Sequence, residues 1–181
     1  MSPGDTRRRI IRTKEEAFHP DCLERSVKHA ASLMVWGCIG RAGTGQLHFI
    51  HGNVNAVKYQ DILRMRLLPS IDTLRPLRDV IFRQDGATCH TAKTTKRWLA
   101  EHQIETLPWP SNSPDLSPIE NVWGILKKGL RRLRPRTVAG LKLRLQELWD
   151  QVTPAQCAHL YDSIPTRLQA FIAARVDVTK Y

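Results

Sequence analysis

The sequence has few acidic residues for its basic content. Of its 181 residues, 17 are Asp or Glu and 28 are Lys or Arg, so the formal net charge is +11 at pH 7. A positive excess of this size makes an anionic polymer the first partner to consider, with nucleic acid ahead of a membrane. A basic surface can also serve solubility alone, so charge by itself leaves the partner open.

Other absences exclude whole protein classes. None of the four cysteines lies in a C-x-x-C pair, which argues against a zinc finger or ribbon. The longest apolar run, LMVWGCI, is too short to cross a bilayer. The first residues, MSPGDTRRRI, contain no apolar segment typical of a signal peptide. We therefore expect no membrane association and a reducing compartment.

The first half of the chain predicts strands followed by a helix. RRRIIRT (7–13) could form a strand, LMVWGCIG (33–40) a buried strand, and GQLHFIHG (45–52) its hairpin partner. A helix is expected over 56–68, and its apolar face would consist of Val57, Ile62, Leu63, Leu67 and Leu68.

The second half alternates strands and helices before becoming helical. DVIFRQD (79–85) predicts a buried strand that delivers Asp85 at its end, and IETLPW (104–109) predicts a short strand. Between them a helix over 91–102 would bury Thr95, Trp98 and Leu99. After Pro118 the pattern is helical, with breaks near Pro135, Pro154 and Pro165. The alternation indicates a mixed α/β sheet in one domain, 1–181.

Glu120 admits two interpretations. In Ser117-Pro118-Ile119-Glu120, Ser at N-cap, Pro at N1 and Glu at N3 are typical of a capping box, in which the Glu120 side chain would bond back to the Ser117 amide. Glu120 also begins a basic helix, since no acidic residue lies between it and Glu147. A lone carboxylate in such a stretch suits a place where metal ions and phosphates meet, although the basic run could be only a solvated helix face.

A helical wheel separates Glu120 from the apolar side of its helix. Glu120 aligns with Gly124, Lys127 and Arg131, and Gly124 would leave open space beside the carboxylate. The predicted buried face consists of Ile119, Val122, Trp123, Leu126, Leu130 and Leu133.

A second carboxylate comes from FRQDGATCHTAK. Asp85 would end a strand, and Gly86 would permit a sharp exit. Carboxylates at strand ends and helix starts can converge on hard divalent cations, and two such ions can clamp the attacking and leaving oxygens of a phosphodiester. His90 could contact a phosphate or cap the next helix; a lone His is also often structural.

These motifs carry a family resemblance. FRQDGATCHTAK and WPSNSPDLSPIENVWG, with 34 residues between Asp85 and Glu120, resemble the DDE catalytic domain of the Tc/mariner superfamily of DNA transposases, in its Tc branch. VKHAASLMVWGCI, GTGQLHFIHG and SIPTRLQAFIAARVDVTKY are similar to the same branch. Gly86, Thr88 and Ser117 stand where the family commonly has Asn, Pro and Asn.

The resemblance implies a ribonuclease-H-like α/β fold and cut-and-paste transposition, with two Mg²⁺ or Mn²⁺ ions held by three carboxylates. Asp85 matches the second catalytic aspartate, Glu120 the third acid, and His90 a histidine of the second-aspartate motif. Both acids would be catalytic residues and metal ligands. The expected partner is DNA at transposon ends and targets, with a homodimer and the nucleus also implied. Besides His90, the expected DNA-binding residues are Lys127, Lys128, Arg131, Arg132, Arg134 and Arg136.

The resemblance also implies missing parts. The family's first catalytic aspartate, in a Ser-Asp-Glu motif, and its helix-turn-helix region would both precede Met1, and Asp5 matches only a loop after that motif. The strand carrying the motif is central in a ribonuclease-H-like sheet, so without it we expect two half-sheets. We predict that this chain alone is inactive in strand cleavage and poorly stable.

Three functional hypotheses follow. The chain is a transposase catalytic domain, a remnant that binds DNA through 127–144 without cutting it, or a nuclease with the same two-metal chemistry. KKGLRRLRPR (127–136) could also act as a nuclear localisation signal.

Overall fold

The computed structural model describes residues 33–74, 80–107 and 116–178 of the unit Leu33–Tyr181. The predicted strand over 7–13, Asp5 and Cys22 lie outside these ranges. The strands are β1 (Met34–Gly40), β2 (Gly43–Ile50), β3 (Ile81–Phe82) and β4 (Glu105–Thr106). The helices are α1 (Ala56–Ile62), α2 (Leu68–Leu74), α3 (Thr88–Thr91), α4 (Lys93–Glu101), α5 (Pro118–Leu133), α6 (Val138–Asp150), α7 (Pro154–Asp162) and α8 (Ile164–Val178).

The predicted hairpin is confirmed. β1 and β2 pair antiparallel from Met34 opposite Ile50 to Gly40 opposite Gly43, with an irregularity between Gly37 and Ile39. Gly43 has φ +141°, a backbone conformation that a side chain would strain, so glycine suits this tight connection.

The two faces of the hairpin support separate hydrophobic cores, because successive side chains on a strand point to opposite sides. Val35 and Leu47 join a cluster with α5, α6 and α7 that is built around Val122 and Trp149. The neighbouring Trp36 instead joins a cluster with the α1–α4 side, built around buried residues that include Tyr59, Leu63, Trp98 and Leu99. The hairpin therefore lies between two helical layers.

The second strand pair is much smaller. β3 and β4 pair in parallel through Ile81–Glu105 and Phe82–Thr106. The prediction of a buried strand over 79–85 is wrong in extent and burial: β3 has two residues, and Ile81 is 54% exposed. Among the described residues, β3 pairs with β4 and the two strand pairs form separate sheets.

The helix predicted over 56–68 runs further. A π-helical stretch, Leu63–Leu67, continues α1 directly into α2. Ile62, Leu63 and Leu67 are buried as predicted, whereas Val57 is 66% exposed. The missed buried residue is Tyr59, four residues before Leu63 and so on the same helical side.

The helix predicted over 91–102 begins earlier, at Thr88, and is interrupted at Ala92 between α3 and α4. Thr95, Trp98 and Leu99 are all buried, as predicted.

The C-terminal helices break near the predicted prolines. On α5, Val122 and Leu126 are buried and Ile119, Trp123 and Leu130 pack against them, but Leu133 is 47% exposed because the helix ends there. Across the described residues, no helix is long and apolar enough to span a membrane.

Two polar ties fix α7 against the hairpin. The Tyr161 hydroxyl donates to the Ile39 carbonyl at 2.8 Å, and Arg41 pairs with both Asp162 oxygens at 2.9 and 3.0 Å. α7 therefore serves as part of the structural frame around β1 and β2.

Candidate functional site

Asp85 follows β3 and is held by two local hydrogen bonds. Its Oδ1 accepts from the Ala87 amide at 3.0 Å and lies 2.5 Å from His90 Nδ1. The side chain nevertheless remains 74% exposed, and a Cβ at Gly86 would have no neighbour within 4 Å. The carboxylate is thus oriented from one side and open on the other.

A buried aromatic residue, Tyr59, contacts two residues close to Asp85. The Tyr59 ring packs against His90 with centroids 4.1 Å apart, and its hydroxyl donates to Gln84 Oε1 at 2.8 Å. Gln84 Nε2 donates in turn to the His90 carbonyl at 3.3 Å. Burial raises the pKa of the Tyr59 phenol, so the hydroxyl stays protonated and can donate.

Glu120 lies in the first turn of α5, but the predicted capping box is wrong. Ser117 is the N-cap in extended conformation, yet its side chain makes no cap hydrogen bond. The Ser117 hydroxyl instead accepts from Arg83 Nη1 at 2.5 Å. The Ser117 carbonyl accepts from the Glu120 amide at 3.1 Å and from Asn121 Nδ2 at 3.2 Å. Glu120 itself is exposed.

Arg83 is the electrostatic link between the two acids. Burial lowers the pKa of Arg83, and attraction from Tyr161, Asp85 and Glu120 opposes that shift. An arginine side chain stays protonated in proteins, so the guanidinium is a permanent cation whose charge interacts with both carboxylates.

The two carboxylates have the donor chemistry that a divalent metal ion requires. Asp85 and Glu120 offer exposed oxygen ligands, the donor type that Mg²⁺ and Mn²⁺ prefer, and a Cβ at Gly124 would also meet open space. Within the described ranges, no group of three or more His, Cys, Asp or Glu side chains could hold a metal ion. Asp85 and Glu120 each offer a carboxylate of the right donor type, and the described residues contain no complete cluster of three such groups.

A cleft of about 370 Å³ lies beside Glu120. Apolar side chains from the start of β1 and from α5 and α6 line most of it. Glu120 and Lys127 are its charged lining residues. The cleft thus combines an apolar floor with one carboxylate and one ammonium on the same side of α5.

The predicted DNA-binding residues fall into two groups. His90 contacts Asp85 and Tyr59, and its side chain is only 18% exposed. The exposed group extends along α5 and past its end, where Arg134 has a left-handed φ of 45°. Its members are Lys127, Lys128, Arg131, Arg132, Arg134 and Arg136. The structure therefore brings His90 to Asp85 and presents the six cations to solvent.

Sequence reasoning missed Arg83, Tyr59 and Gln84. The stretch FRQD carried a signal for Arg83, because it places a cation two residues from Asp85. Tyr59 could have been found from its spacing to Leu63 and Leu67 on one helical side. Gln84 gave no such signal, since its partners come from α1 and α3.

Comparison with known proteins identifies the family to which this sequence is similar. Residues 2–142 match the family model described as DDE superfamily endonuclease. The transposable element Tcb2 transposase of Caenorhabditis briggsae is 33% identical over 171 residues, covering 91% of this chain and 60% of the relative. The transposable element Tc1 transposase of Caenorhabditis elegans is 32% identical over 158 residues, covering 86% and 57%. The chain thus spans little more than half the length of these relatives.

The fold matches solved structures. The catalytic domain of Mos1 mariner transposase superposes with a TM-score of 0.72 at 24% identity, covering 78% of this chain and 73% of that one. A pre-cleavage Mos1 transpososome gives 0.75 at 22% identity, covering 96% and 50%. The predicted ribonuclease-H-like α/β fold is confirmed, and the chain belongs to the DDE superfamily endonuclease family as a Tc/mariner-type transposase domain.

Proposed function

We propose that this chain is the catalytic region of a cut-and-paste DNA transposase, in which Asp85 and Glu120 are catalytic metal ligands. The observation that carries the proposal is that two exposed carboxylates, one after β3 and one in the first turn of α5, both interact electrostatically with Arg83, whose Nη1 joins the two segments through Ser117 Oγ. Further support comes from the names of the relatives, which are transposases, and from Mos1 catalytic-domain structures with Mg and with Mn.

Each residue has a distinct part in this proposal. When bound, Mg²⁺ or Mn²⁺ would supply Lewis-acid stabilisation of the phosphodiester and lower the pKa of the attacking hydroxyl. Asp85 and Glu120 would hold the ion through their exposed oxygens. His90 and the Ala87 amide orient Asp85 through its Oδ1. The exposed cations of α5 would hold DNA phosphates near the acids.

The partner class is DNA, as in the Mos1 paired-end complex with a transposon end. We also propose a homodimer and a nuclear location, the latter supported by the Lys/Arg-rich run at 127–136. A nuclear test is direct: a fluorescent fusion of the chain should lose nuclear accumulation when Lys127 and Lys128 are both replaced by Ala.

Metal binding tests the acid pair. We expect the 181-residue chain to bind Mn²⁺, measured by calorimetry, and to lose this binding on Asp85→Ala or Glu120→Ala. Asp72→Ala, at an exposed carboxylate of α2, is the matched control and should bind like the native chain. Equal Mn²⁺ binding by all three variants would contradict the role of Asp85 and Glu120.

The prediction that the 181-residue chain alone is inactive in strand cleavage can be tested directly. Incubation with Mn²⁺ and duplex DNA should therefore leave the DNA intact. Nicking of transposon-end DNA that disappears on Asp85→Ala would contradict this expectation. Metal-dependent digestion of DNA lacking any transposon end would favour a nuclease.

A non-catalytic DNA-binding remnant is the second candidate, favoured by the exposed cations that need no acid pair. Anisotropy titrations with duplex DNA should show affinity falling steeply with salt, and Lys127→Ala/Arg131→Ala should lower the slope by about one per lost phosphate contact. Lys93→Ala/Lys96→Ala on α4 is the control. DNA binding that is unchanged by loss of Asp85 and Glu120, without metal binding, would favour the remnant.

A further inference from the structure

Arg83 joins the two segments that carry the acids. It lies two residues before Asp85, and its Nη1 donates to Ser117 Oγ at 2.5 Å. Ser117 is 5% exposed and precedes Glu120 by three residues. β3, the strand before Asp85, takes its strand pairing from β4. The Arg83–Ser117 bond is therefore a direct tie between the end of β3 and the start of α5.

The Ser117 hydroxyl is available for this tie because it does not cap its helix. Two other N-caps with hydroxyl side chains behave differently: Thr137 accepts from the Gly140 amide and Thr153 from the Gln156 amide. At α5 the same kind of side chain serves a residue 34 positions away in the sequence. Replacing the Ser117 hydroxyl would consequently remove a long-range contact and not a helix cap.

The tie also limits where the guanidinium can go. Asp85 and Glu120 both attract it. A guanidinium can bind a carboxylate through two parallel hydrogen bonds, which would occupy the oxygens that a divalent cation needs. The bond to Ser117 Oγ engages Nη1, one arm of this fork.

We propose that Arg83 is a positioning residue, whose bond to Ser117 fixes the Asp85 segment against α5 and keeps the guanidinium from closing on the two carboxylates. The inference rests on the proposed function, since it concerns metal binding by the same acid pair. It assigns Ser117 to the same device, as the acceptor that restrains Arg83.

The test is a double-mutant cycle read in the Mn²⁺ affinity of the 181-residue chain. Ser117→Ala should weaken Mn²⁺ binding by about tenfold, the scale of one hydrogen bond to a charged group. Ser117→Thr, which keeps a hydroxyl, should bind within about twofold of the native chain. In an Arg83→Met background Ser117→Ala should have no further effect, because the restrained group is gone.

The matched control is Thr153→Ala, which removes a genuine N-cap from α7. It should lower the melting temperature and leave Mn²⁺ affinity unchanged. The inference is overturned if Ser117→Ala binds Mn²⁺ like the native chain, or if its effect persists in the Arg83→Met background. A general loss of helix stability would instead make Thr153→Ala and Ser117→Ala weaken binding alike.

The proposed function and the inference fail in different ways. Mn²⁺ binding that survives Asp85→Ala contradicts the metal role of the acid pair and leaves the tie to be judged by amide hydrogen exchange. In that measurement, without metal, Ser117→Ala should speed exchange of the Glu120 and Asn121 amides by about tenfold, and Ser117→Thr should not. Equal exchange in the native chain and Ser117→Ala would overturn the tie as well.

Discussion

The starts of α5 and α7 share one local sequence pattern and use it differently. Both helices have a hydroxyl residue at the N-cap, Pro at the next position and Glu or Gln at N3. At α7 the capping box is complete: Gln156 Oε1 accepts from the Thr153 amide at 2.8 Å, and Thr153 Oγ1 accepts from the Gln156 amide at 3.3 Å. At α5 Ser117 bonds Arg83 and leaves Glu120 exposed.

The difference follows from Arg83, which lies 34 residues before Ser117 and donates a hydrogen bond to its hydroxyl. A partly buried guanidinium at Ser117 makes a stronger, charge-assisted partner than a backbone amide. With the Ser117 hydroxyl bonded to Arg83, the half of the box that this hydroxyl would supply is not formed. The α7 pattern therefore stabilises the frame, whereas at α5 Glu120 remains exposed.

The largest expected contrast is between the two N3 residues. Glu120→Ala should weaken Mn²⁺ binding by more than about tenfold. Mutating a residue that only supports a metal ligand already lowers metal affinity by about that factor. Gln156→Ala should leave Mn²⁺ binding intact and lower the free energy of unfolding instead. The calorimetric titration and a urea melt of both variants decide this, and a shared loss of metal binding would erase the contrast.

The second contrast lies in pH dependence, at the far end of α7. Burial raises the pKa of Tyr161 from 10.0 to about 12, and nearby Cys157 and Cys38 add to the shift. A folded pKa above the unfolded value means that the contribution to stability is complete below pH 10 and is lost as pH rises through about 12. Between about pH 9 and pH 11 the native chain should lose about 1 kcal/mol more than Tyr161→Phe.

Urea melts at the two pH values measure this loss. Tyr161→Phe also removes the hydrogen bond to the Ile39 carbonyl, so it should start from a lower stability. The same pH change in the native chain and in Tyr161→Phe would contradict the assignment to Tyr161.

Periodicity predicted much of the fold, because each predicted face depends on neighbours close in sequence. The hairpin, the buried residues of α4 and most of the inner face of α5 are all of this kind. The length of β3 was not predictable in this way, since a strand ends where its partner's ladder ends. The family motifs predicted Asp85 and Glu120 as candidate site residues, but they did not predict which side chains lie around them.

The candidate site shows the same limit more sharply. Local pattern predicted a Ser117–Glu120 box, and a residue 34 positions earlier replaced it. Tyr59 reaches Gln84 and His90 from α1, so its contribution depends on tertiary packing. Side chains that position the acids come from several elements, and a pattern read along one segment does not contain them.

A smaller contrast concerns the energetic coupling between the N-cap and N3 residues of each helix. Thr153→Ala and Gln156→Ala should each cost about 0.5–2 kcal/mol, and the double variant should cost less than their sum because one box is lost once. Ser117→Ala and Glu120→Ala should be less strongly coupled in unfolding free energy than the Thr153 and Gln156 variants, because the Ser117 side chain makes no cap hydrogen bond. Urea melts of the two double-mutant cycles measure both coupling energies. Strong coupling between Ser117 and Glu120 would indicate that these two residues form a capping box after all.

The smallest expected effect is at Gly124, one turn beyond Glu120. A Cβ there meets no atom within 4 Å, so Gly124→Ala should stabilise the chain by about 0.5–1 kcal/mol through helix propensity alone. At Gly129, the matched position on the same helix, a Cβ would lie 2.8 Å from Leu148 Cδ2, so the gain from Ala should be smaller or reversed. Gly124→Leu then separates stability from function, because a bulky side chain in the space beside Glu120 should lower Mn²⁺ affinity while the helix is still stabilised. Unchanged Mn²⁺ binding in Gly124→Leu would mean that the open space at Gly124 is not part of the site.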